Sequence, residues 1–124
     1  MTVKLVALLS RKPGMSLEDF KAYYEGTHVP LICEINPYMA DYRRTYVDAS
    51  TAVKGGIASA PNDWAPDFDA IAEIWFKDRE TFDKARAAMT TPESAARIGA
   101  DEENFLDRSQ KRMFLNEECR SENL

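Results

Sequence analysis

His28 is the only histidine of the chain and the residue best suited to acid–base chemistry near neutral pH. An imidazole titrates near about 6.5, so one well-placed histidine can take up and return a proton at working pH. Sequence position alone leaves two interpretations open. His28 is either a general base or a partly buried side chain bonded to a backbone carbonyl at a helix end.

Asp69 and Glu73 are the carboxylates that we predict to act with His28. They lie four residues apart in a predicted strand, so they share a face but stand roughly 13 Å apart, which excludes a close dyad. Asp69 is equally compatible with a solvated charge at the start of the strand. Glu73 lies between Ile71 and Trp75, where an unpaired charge is costly, so we expect it to be hydrogen-bonded or protonated. If Glu73 faces the helices, burial raises its pKa.

Aromatic side chains near these groups are candidates for holding a flat ligand. Phe20, Tyr24 and His28 recur at intervals of four, which places three rings on one helix face. The tyrosines are explained equally well as structural residues of the hydrophobic core and its edge. The predicted ligand-binding residues are Phe20, Tyr24, Tyr46, Trp64 and Trp75.

The helix that carries His28 is predicted over residues 15–30. Ser16 is its N-cap, with Asp19 three residues later, and Pro30 kinks or ends it just past the histidine. Strands are predicted over 3–9, 38–48, 68–76 and 111–116, and two further helices are capped by Asp78 and Thr91. The order predicts an α+β, ferredoxin-like βαββααβ fold with a four-stranded antiparallel sheet, as a single domain over 1–124.

Residues 49–67 form a long predicted loop that is rich in Ser, Ala, Gly, Pro and Asn. Loops of this length are often lids or disordered segments. Trp64 either pins this loop to the body of the protein or helps to cover a pocket.

The sheet surface away from the helices raises a separate problem. The first and third predicted strands have no clearly polar face, so in a monomer that apolar surface would be exposed to solvent. A two-fold association would bury it, and we therefore predict a homodimer through the sheet face.

Composition excludes several classes of function. A net charge of -5 and scattered basic residues argue against nucleic acid as a partner. No apolar run is long enough to span a bilayer and the first residues lack a signal-peptide pattern, so we expect no membrane association and a cytoplasmic location. Two cysteines and one histidine make a disulfide or a metal site unfavoured, and no phosphate loop or nucleophile elbow is present. We therefore expect no metal and no cofactor.

Three segments together resemble the EthD-domain family of the dimeric α/β-barrel superfamily. They are KLVALLSRKPGMSLEDFKAYYEGTHVPL, with its histidine-any-proline-leucine end, FDAIAEIWF, and ADEENFLDRSQ. The resemblance implies a ferredoxin-like protomer, a two-fold dimer whose sheets close into a barrel, and a ligand pocket between sheet and helices. It also implies that His28, Asp69, Glu73 and Trp75 are pocket residues. Where the family often has tryptophan before its histidine, this chain has Tyr23-Tyr24, which favours a more polar pocket.

The function implied by the resemblance is less uniform than the fold, because one fold supports many reactions. Relatives take part in ether degradation or act as dehydratases and decarboxylases on aromatic polyketides, and other branches hold cofactor-free monooxygenases, isomerases and haem-handling proteins. We expect a cofactor-independent lyase of the dehydratase or decarboxylase type, acting on a hydrophobic cyclic or aromatic polyketide-like metabolite. His28 would remove a proton next to a carbonyl, Glu73 or Asp69 would orient it, and a tyrosine would stabilise the enolate. A non-catalytic binding protein, a cofactor-free monooxygenase or isomerase, and a haem-binding protein are the alternatives.

Overall fold

Four antiparallel strands form one sheet in the order β2-β3-β1-β4 in the computed structural model, which describes residues 2–56 and 64–124. The strands are β1 (Val3–Leu9), β2 (Asp41–Tyr46), β3 (Ala70–Phe76) and β4 (Arg112–Asn116). All neighbouring strands pair antiparallel. The prediction of an α+β, ferredoxin-like fold is confirmed.

The helices are α1 (Leu17–Tyr23), α2 (Val29–Ile35), α3 (Arg79–Met89) and α4 (Pro92–Glu102). The predicted caps Ser16, Asp78 and Thr91 each accept a hydrogen bond from a backbone N–H three residues later. Such caps satisfy donors that the first helical turn leaves without partners. Short 3₁₀ turns at Ala49–Thr51 and Arg108–Gln110 follow β2 and precede β4.

A π-helical turn, Tyr24–His28, joins α1 to α2. Val29 donates its backbone N–H to the carbonyl of Tyr24, five residues earlier, and Pro30 follows with no N–H to donate. The chain therefore stays helical beyond Pro30, whereas the sequence predicted a kink or an end there. The irregularity falls before Pro30, in the wide turn that ends at His28, and such turns are frequent at functional sites.

The strand alternation gives the sheet one face toward the helices and one face away from them. In β3 the helix-facing residues are the buried ones, namely Ala70, Ala72, Ile74 and Phe76. Ile71, Glu73 and Trp75 lie on the opposite face, half-buried. This choice of face decides which polar side chains reach the core.

The core lies between the sheet and the helices. Phe20 is 0% exposed, and its ring centroid lies 5.7 Å from that of Phe105. Ala7, Ala70 and Ala72 of the sheet belong to the same cluster. Because these strand side chains are small, the aromatic rings of α1 can approach the sheet closely.

The long connection between β2 and β3 is only partly described. Trp64 is 46% exposed, and residues 57–63 lie outside the described residues, so the predicted lid stays a prediction. Among the helices that the structure describes, none is long and apolar enough to cross a membrane.

Replacing Phe20 with alanine tests this core. Phe20 contacts the rings of Tyr24, Tyr46 and Phe105, so Phe20→Ala should lower the free energy of unfolding by about 3–5 kcal/mol. Leu17→Ala, at an exposed site of the same helix, should change it by no more than about 0.5 kcal/mol. Urea unfolding measures both, and equal losses in the two variants would contradict the assignment of Phe20 to the core.

Candidate active site

His28 lies at the end of the π turn with only 5% of its surface exposed. Its Nδ1 is 2.6 Å from Oδ2 of Asp101 on α4. The partner of the histidine is therefore a carboxylate and not a backbone carbonyl. Because an ionised carboxylate only accepts hydrogen bonds, Nδ1 carries the proton of the neutral ring and Nε2 keeps the lone pair. That is the tautomer that a general base at Nε2 requires.

Asp101 is itself held from its other side. Tyr23 donates its hydroxyl to Oδ1 of Asp101 at 2.7 Å, and Asn104 donates its amide to the hydroxyl of Tyr23 at 2.9 Å. Burial raises the pKa of Tyr23, and so does Asp101, so this phenol stays a donor at neutral pH. With both carboxylate oxygens bonded, the orientation of Asp101 is fixed, and so is that of His28.

Two opposing effects set the basicity of His28. Burial, the larger effect, lowers the pKa of His28 below its usual value of 6.5, while the hydrogen bond and the charge of Asp101 raise it. The imidazole is therefore neutral near pH 7. A neutral ring with a free lone pair can accept a proton from a ligand.

His28 lines a small cavity of about 50 Å³ between the helices and the sheet. This cavity adjoins an open groove of about 450 Å³ that runs between α3, α4 and the sheet. The groove lies within the size range of small-molecule sites and is lined mainly by apolar side chains. The two spaces share their walls at Ile74, Met89, Ile98, Glu102, Lys111 and Met113. The groove therefore lies next to the cavity that His28 lines.

Two tyrosine hydroxyls meet beside His28 in the small cavity. The oxygens of Tyr24 and Tyr42 are 3.1 Å apart, and both residues line the cavity. Burial raises the pKa of Tyr42 to about 12 and raises that of Tyr24 as well, so both stay protonated. Since one hydroxyl donates to the other, the second proton remains available to an oxygen in the cavity.

Glu73 and Trp75 do not lie beside His28. Glu73 forms an ion pair with Lys4 at 2.5 Å, and Trp75 donates its indole N–H to Glu118 at 3.0 Å, both on the face away from the helices. The expectation that Glu73 faces the His28 side of the sheet is therefore wrong. The alternation of β3 buries Ile74 and Phe76 instead, which forces Glu73 to the opposite face.

The remaining predicted residues are spread around the protomer. Asp69 accepts a hydrogen bond from the backbone N–H of Arg11 at 2.8 Å, Tyr46 donates to Glu25 at 2.5 Å, and Phe20 is in the core. None of these, nor the exposed Trp64, lines the cavity at His28. The cavity brings together only His28 and Tyr24 of the eight predicted residues.

Asp101, Glu102 and Lys111 are residues of this site that the sequence reasoning missed. The apolar face near the end of α4 carries two carboxylates. Asp101 and Glu102 lie at helical spacing between the buried residues Ile98 and Phe105. Glu102 is 3% exposed and pairs with Lys111 at 2.5 Å. The sequence signal that could have identified them is the pair of acidic residues on a buried helix face, because buried charges need partners.

The polar groups that line the cavity include a ring nitrogen of His28 and the hydroxyls of Tyr24 and Tyr42. Across residues 2–56 and 64–124, no group of three or more His, Cys, Asp or Glu side chains is arranged to hold a metal ion. The cavity instead offers a lone pair at His28 and hydroxyl donors at Tyr24 and Tyr42.

A family model described as EthD domain matches residues 12–109, which confirms the resemblance noted in the sequence. An ethyl tert-butyl ether d (EthD) family protein from Bacillus halodurans C-125 is 27% identical, over 96% of this chain and 100% of that chain, with a TM-score of 0.60. Among curated proteins, no significant match was found.

Two more distant structures are similar in fold alone. SnoaB, a cofactor-independent oxygenase from Streptomyces nogalater, is 11% identical over 98% of this chain and 96% of that chain, with a TM-score of 0.58. A dimeric protein of ferredoxin-like fold from Bacteroides fragilis NCTC 9343 is 10% identical over 94% and 95% of the two chains, with a TM-score of 0.51.

Replacing Asp101 with asparagine tests the histidine–carboxylate pair. Because Asp101 raises the pKa of His28 against the effect of burial, Asp101→Asn should lower that pKa further. The single histidine makes its imidazole C–H resonances unambiguous in an NMR titration. Asp83→Asn, at an exposed carboxylate on α3, is the control and should leave the titration unchanged. An unchanged or higher pKa in Asp101→Asn would count against the pair.

Proposed function

This chain belongs to the EthD domain family, and we propose that it is a cofactor-independent enzyme that uses His28 as a general base on a hydrophobic cyclic carbonyl compound. The observation that carries the proposal is the 2.6 Å hydrogen bond between Nδ1 of His28 and Asp101 at the wall of the cavity. This bond leaves Nε2 as the basic nitrogen. The same bond orients the ring and raises the pKa of His28 against the effect of burial.

The proposed reaction begins with a proton transfer. Nε2 of His28 removes the proton from a carbon next to the substrate carbonyl, and Asp101 stabilises the imidazolium that forms. A hydroxyl of the Tyr24–Tyr42 pair donates to the enolate oxygen as negative charge develops there. In this scheme Asp101 takes the orienting role that the sequence had given to Glu73 or Asp69.

A lyase of the dehydratase type completes the reaction without any further reagent. The enolate electron pair forms a carbon–carbon double bond as a hydroxyl group leaves the neighbouring carbon. His28 returns its proton to that hydroxyl, which departs as water, and the histidine is neutral again. A decarboxylase would instead begin with His28 taking the proton of the substrate's carboxylic acid. Loss of carbon dioxide would then form the enolate, and His28 would return that proton to carbon.

The groove supports a hydrophobic substrate. Its walls include Leu5, Phe76, Phe82 and Ile98, so the driving force for binding is burial of apolar surface. This composition fits a cyclic or aromatic polyketide-like metabolite, with the carbonyl end in the small cavity.

The isomerase and monooxygenase alternatives share the first step with the lyase. An isomerase would return the proton to another carbon, and a cofactor-free monooxygenase would let the carbanion react with dioxygen. The similarity in fold to SnoaB is the observation that keeps the oxygenase under consideration. A non-catalytic binding protein would use the same groove without needing a basic histidine.

We also propose a homodimer formed through the sheet face away from the helices. Val6, Leu8, Ile71 and Phe114 share this face, and none of them is fully buried in the protomer. The similarity to a dimeric ferredoxin-like protein supports this association. Two such sheets packed face to face would form the expected barrel.

Deuterium exchange tests His28 without knowledge of the natural substrate. The protein should accelerate exchange of the acidic ring protons of 2-tetralone in D2O, followed by proton NMR. His28→Gln should reduce this catalysis by about 10²- to 10⁴-fold, the usual contribution of a general base. The rate should also fall as the pH drops through the pKa of His28, because protonation removes the lone pair.

Glu73→Gln provides the matched control for this experiment. Glu73 lies on the opposite face of the sheet, so the variant should keep the wild-type exchange rate. Exchange at the buffer rate with wild-type protein, despite saturable binding of 2-tetralone, would favour the binding protein. Undiminished exchange in His28→Gln would remove the histidine from the mechanism.

The dimer is tested by placing a charge on the outer face of the sheet. Ile71 pairs with Leu8 in the middle of this face, so Ile71→Glu should convert the dimer to a monomer of 14.1 kDa. Size-exclusion chromatography with light scattering at micromolar concentration measures the mass. Ala87→Glu, at an exposed position of α3, should leave the dimer intact. A wild-type monomer would contradict the proposal.

A further inference from the structure

The apolar groove is bordered by charges whose balance is opposite to that of the whole chain. In the described part of the chain, the ionisable residues that line the groove are three cations and one carboxylate, namely Arg86, Arg108, Lys111 and Glu102. The chain as a whole carries a formal charge of -5. A groove with an excess of positive charge in an acidic protein favours an anionic ligand over a cationic one.

Glu102 holds two of these cations at the junction between the groove and the His28 cavity. Its two carboxylate oxygens lie 2.5 Å from Nζ of Lys111 and 3.5 Å from Nε of Arg108. Both Glu102 and Lys111 line both spaces. One cation would be enough to neutralise this carboxylate, so the second positive charge at the junction is in excess there.

Arg108 has a further partner outside the groove. Its guanidinium lies 3.1 Å from the carboxylate of Glu103, which is exposed on the rim. An exposed ion pair of this kind is screened by solvent and contributes little. Arg108 is therefore not committed to Glu103 in the way that Lys111 is committed to Glu102.

Donor groups remain on both cations. Among the described residues, Nζ of Lys111 bonds to Glu102 alone, although an ammonium group has three N–H donors. Arg108 directs one terminal nitrogen at Glu103, and the other lies beside Gly99, 3.6 Å from where a Cβ would stand. Both side chains are partly exposed, so their remaining donors are accessible from the groove.

We propose that the ligand is a hydrophobic carboxylate whose anionic group binds Lys111 and Arg108 at this junction. Its apolar body lies along Ile74, Phe82 and Ile98, and the carbonyl end enters the small cavity at His28. Charge-assisted N–H···O hydrogen bonds to a carboxylate are roughly twice as strong as neutral ones, which makes this contact a determinant of specificity. The placement of the ligand's carbonyl at His28 rests on the proposed function, whereas the binding of its anionic group does not.

Binding of a matched pair of probes tests the proposal. 2-Naphthoate and 2-naphthamide have nearly the same shape and differ in charge, and isothermal titration calorimetry at pH 7.5 measures both. Wild-type protein should bind the naphthoate about tenfold more tightly or better, as charged hydrogen bonds require. Arg108→Gln should reduce this preference, and so should Lys111→Gln, because each removes the positive charge that is in excess at the junction. Each variant leaves Glu102 with one cation, so no buried charge is left alone.

Arg97→Gln is the matched control, because Arg97 belongs to the same helix, pairs with Glu34 and does not line the groove. It should keep the full preference for the carboxylate. Equal affinity of wild-type protein for the two probes, a preference that survives in Arg108→Gln and in Lys111→Gln, or binding of neither probe at millimolar concentration would overturn the proposal.

His28→Gln separates this inference from the proposed function. That variant should retain the preference for 2-naphthoate while it loses the deuterium exchange. If wild-type protein shows the preference but no exchange, the general-base mechanism fails and the carboxylate site stands. If it shows exchange without the preference, the carboxylate site fails and the general-base mechanism stands.

Discussion

The hydrogen bond between His28 and Asp101 is the interaction on which the arrangement of the site depends. The two residues are 73 positions apart in the chain, so their contact ties the helical segment that follows β1 to the helix that precedes the last strand. Each group would be costly to bury without the other, because neither a polar ring nor a carboxylate finds an acceptor or donor in an aliphatic core. The bond satisfies both groups, and Tyr23 satisfies the second oxygen of the carboxylate.

The cavity follows from the sizes of the side chains that surround this bond. Ala7 and Ala72 present small side chains to the helices beneath Tyr24, Tyr42 and His28, so the layer between sheet and helices is incompletely filled there. The polar ends of the two tyrosines and the histidine meet in the space that results. A larger residue at either alanine would fill the cavity and displace the groups that we propose to act in it.

The sequence was sufficient to predict the helices and strands and one wall of the candidate site. Phe20, Tyr24 and His28 share a buried helix face, as their spacing predicted, and caps such as Ser16 are where the sequence indicated. The inward face of β3 was not predictable in the same way, since Ile71 and Trp75 are as apolar as Ile74 and Phe76. Local alternation distinguishes two faces but not which one the helices cover, and the roles of Glu73 and Trp75 depended on that choice.

Asp101 could have been suspected from the sequence, but its partner could not. A carboxylate on the apolar face of α4 signals a buried charge, yet nothing local says whether a lysine, an arginine or a histidine meets it. The identity of the partner determines the chemistry, because burial alone would lower the pKa of His28 and make it a weak base. Asp101 opposes that effect while it orients the ring, so His28 can be neutral at pH 7 and still receive a proton. A lone buried histidine becomes a usable base only through this pairing, which is a property of the tertiary fold and not of the helix that carries it.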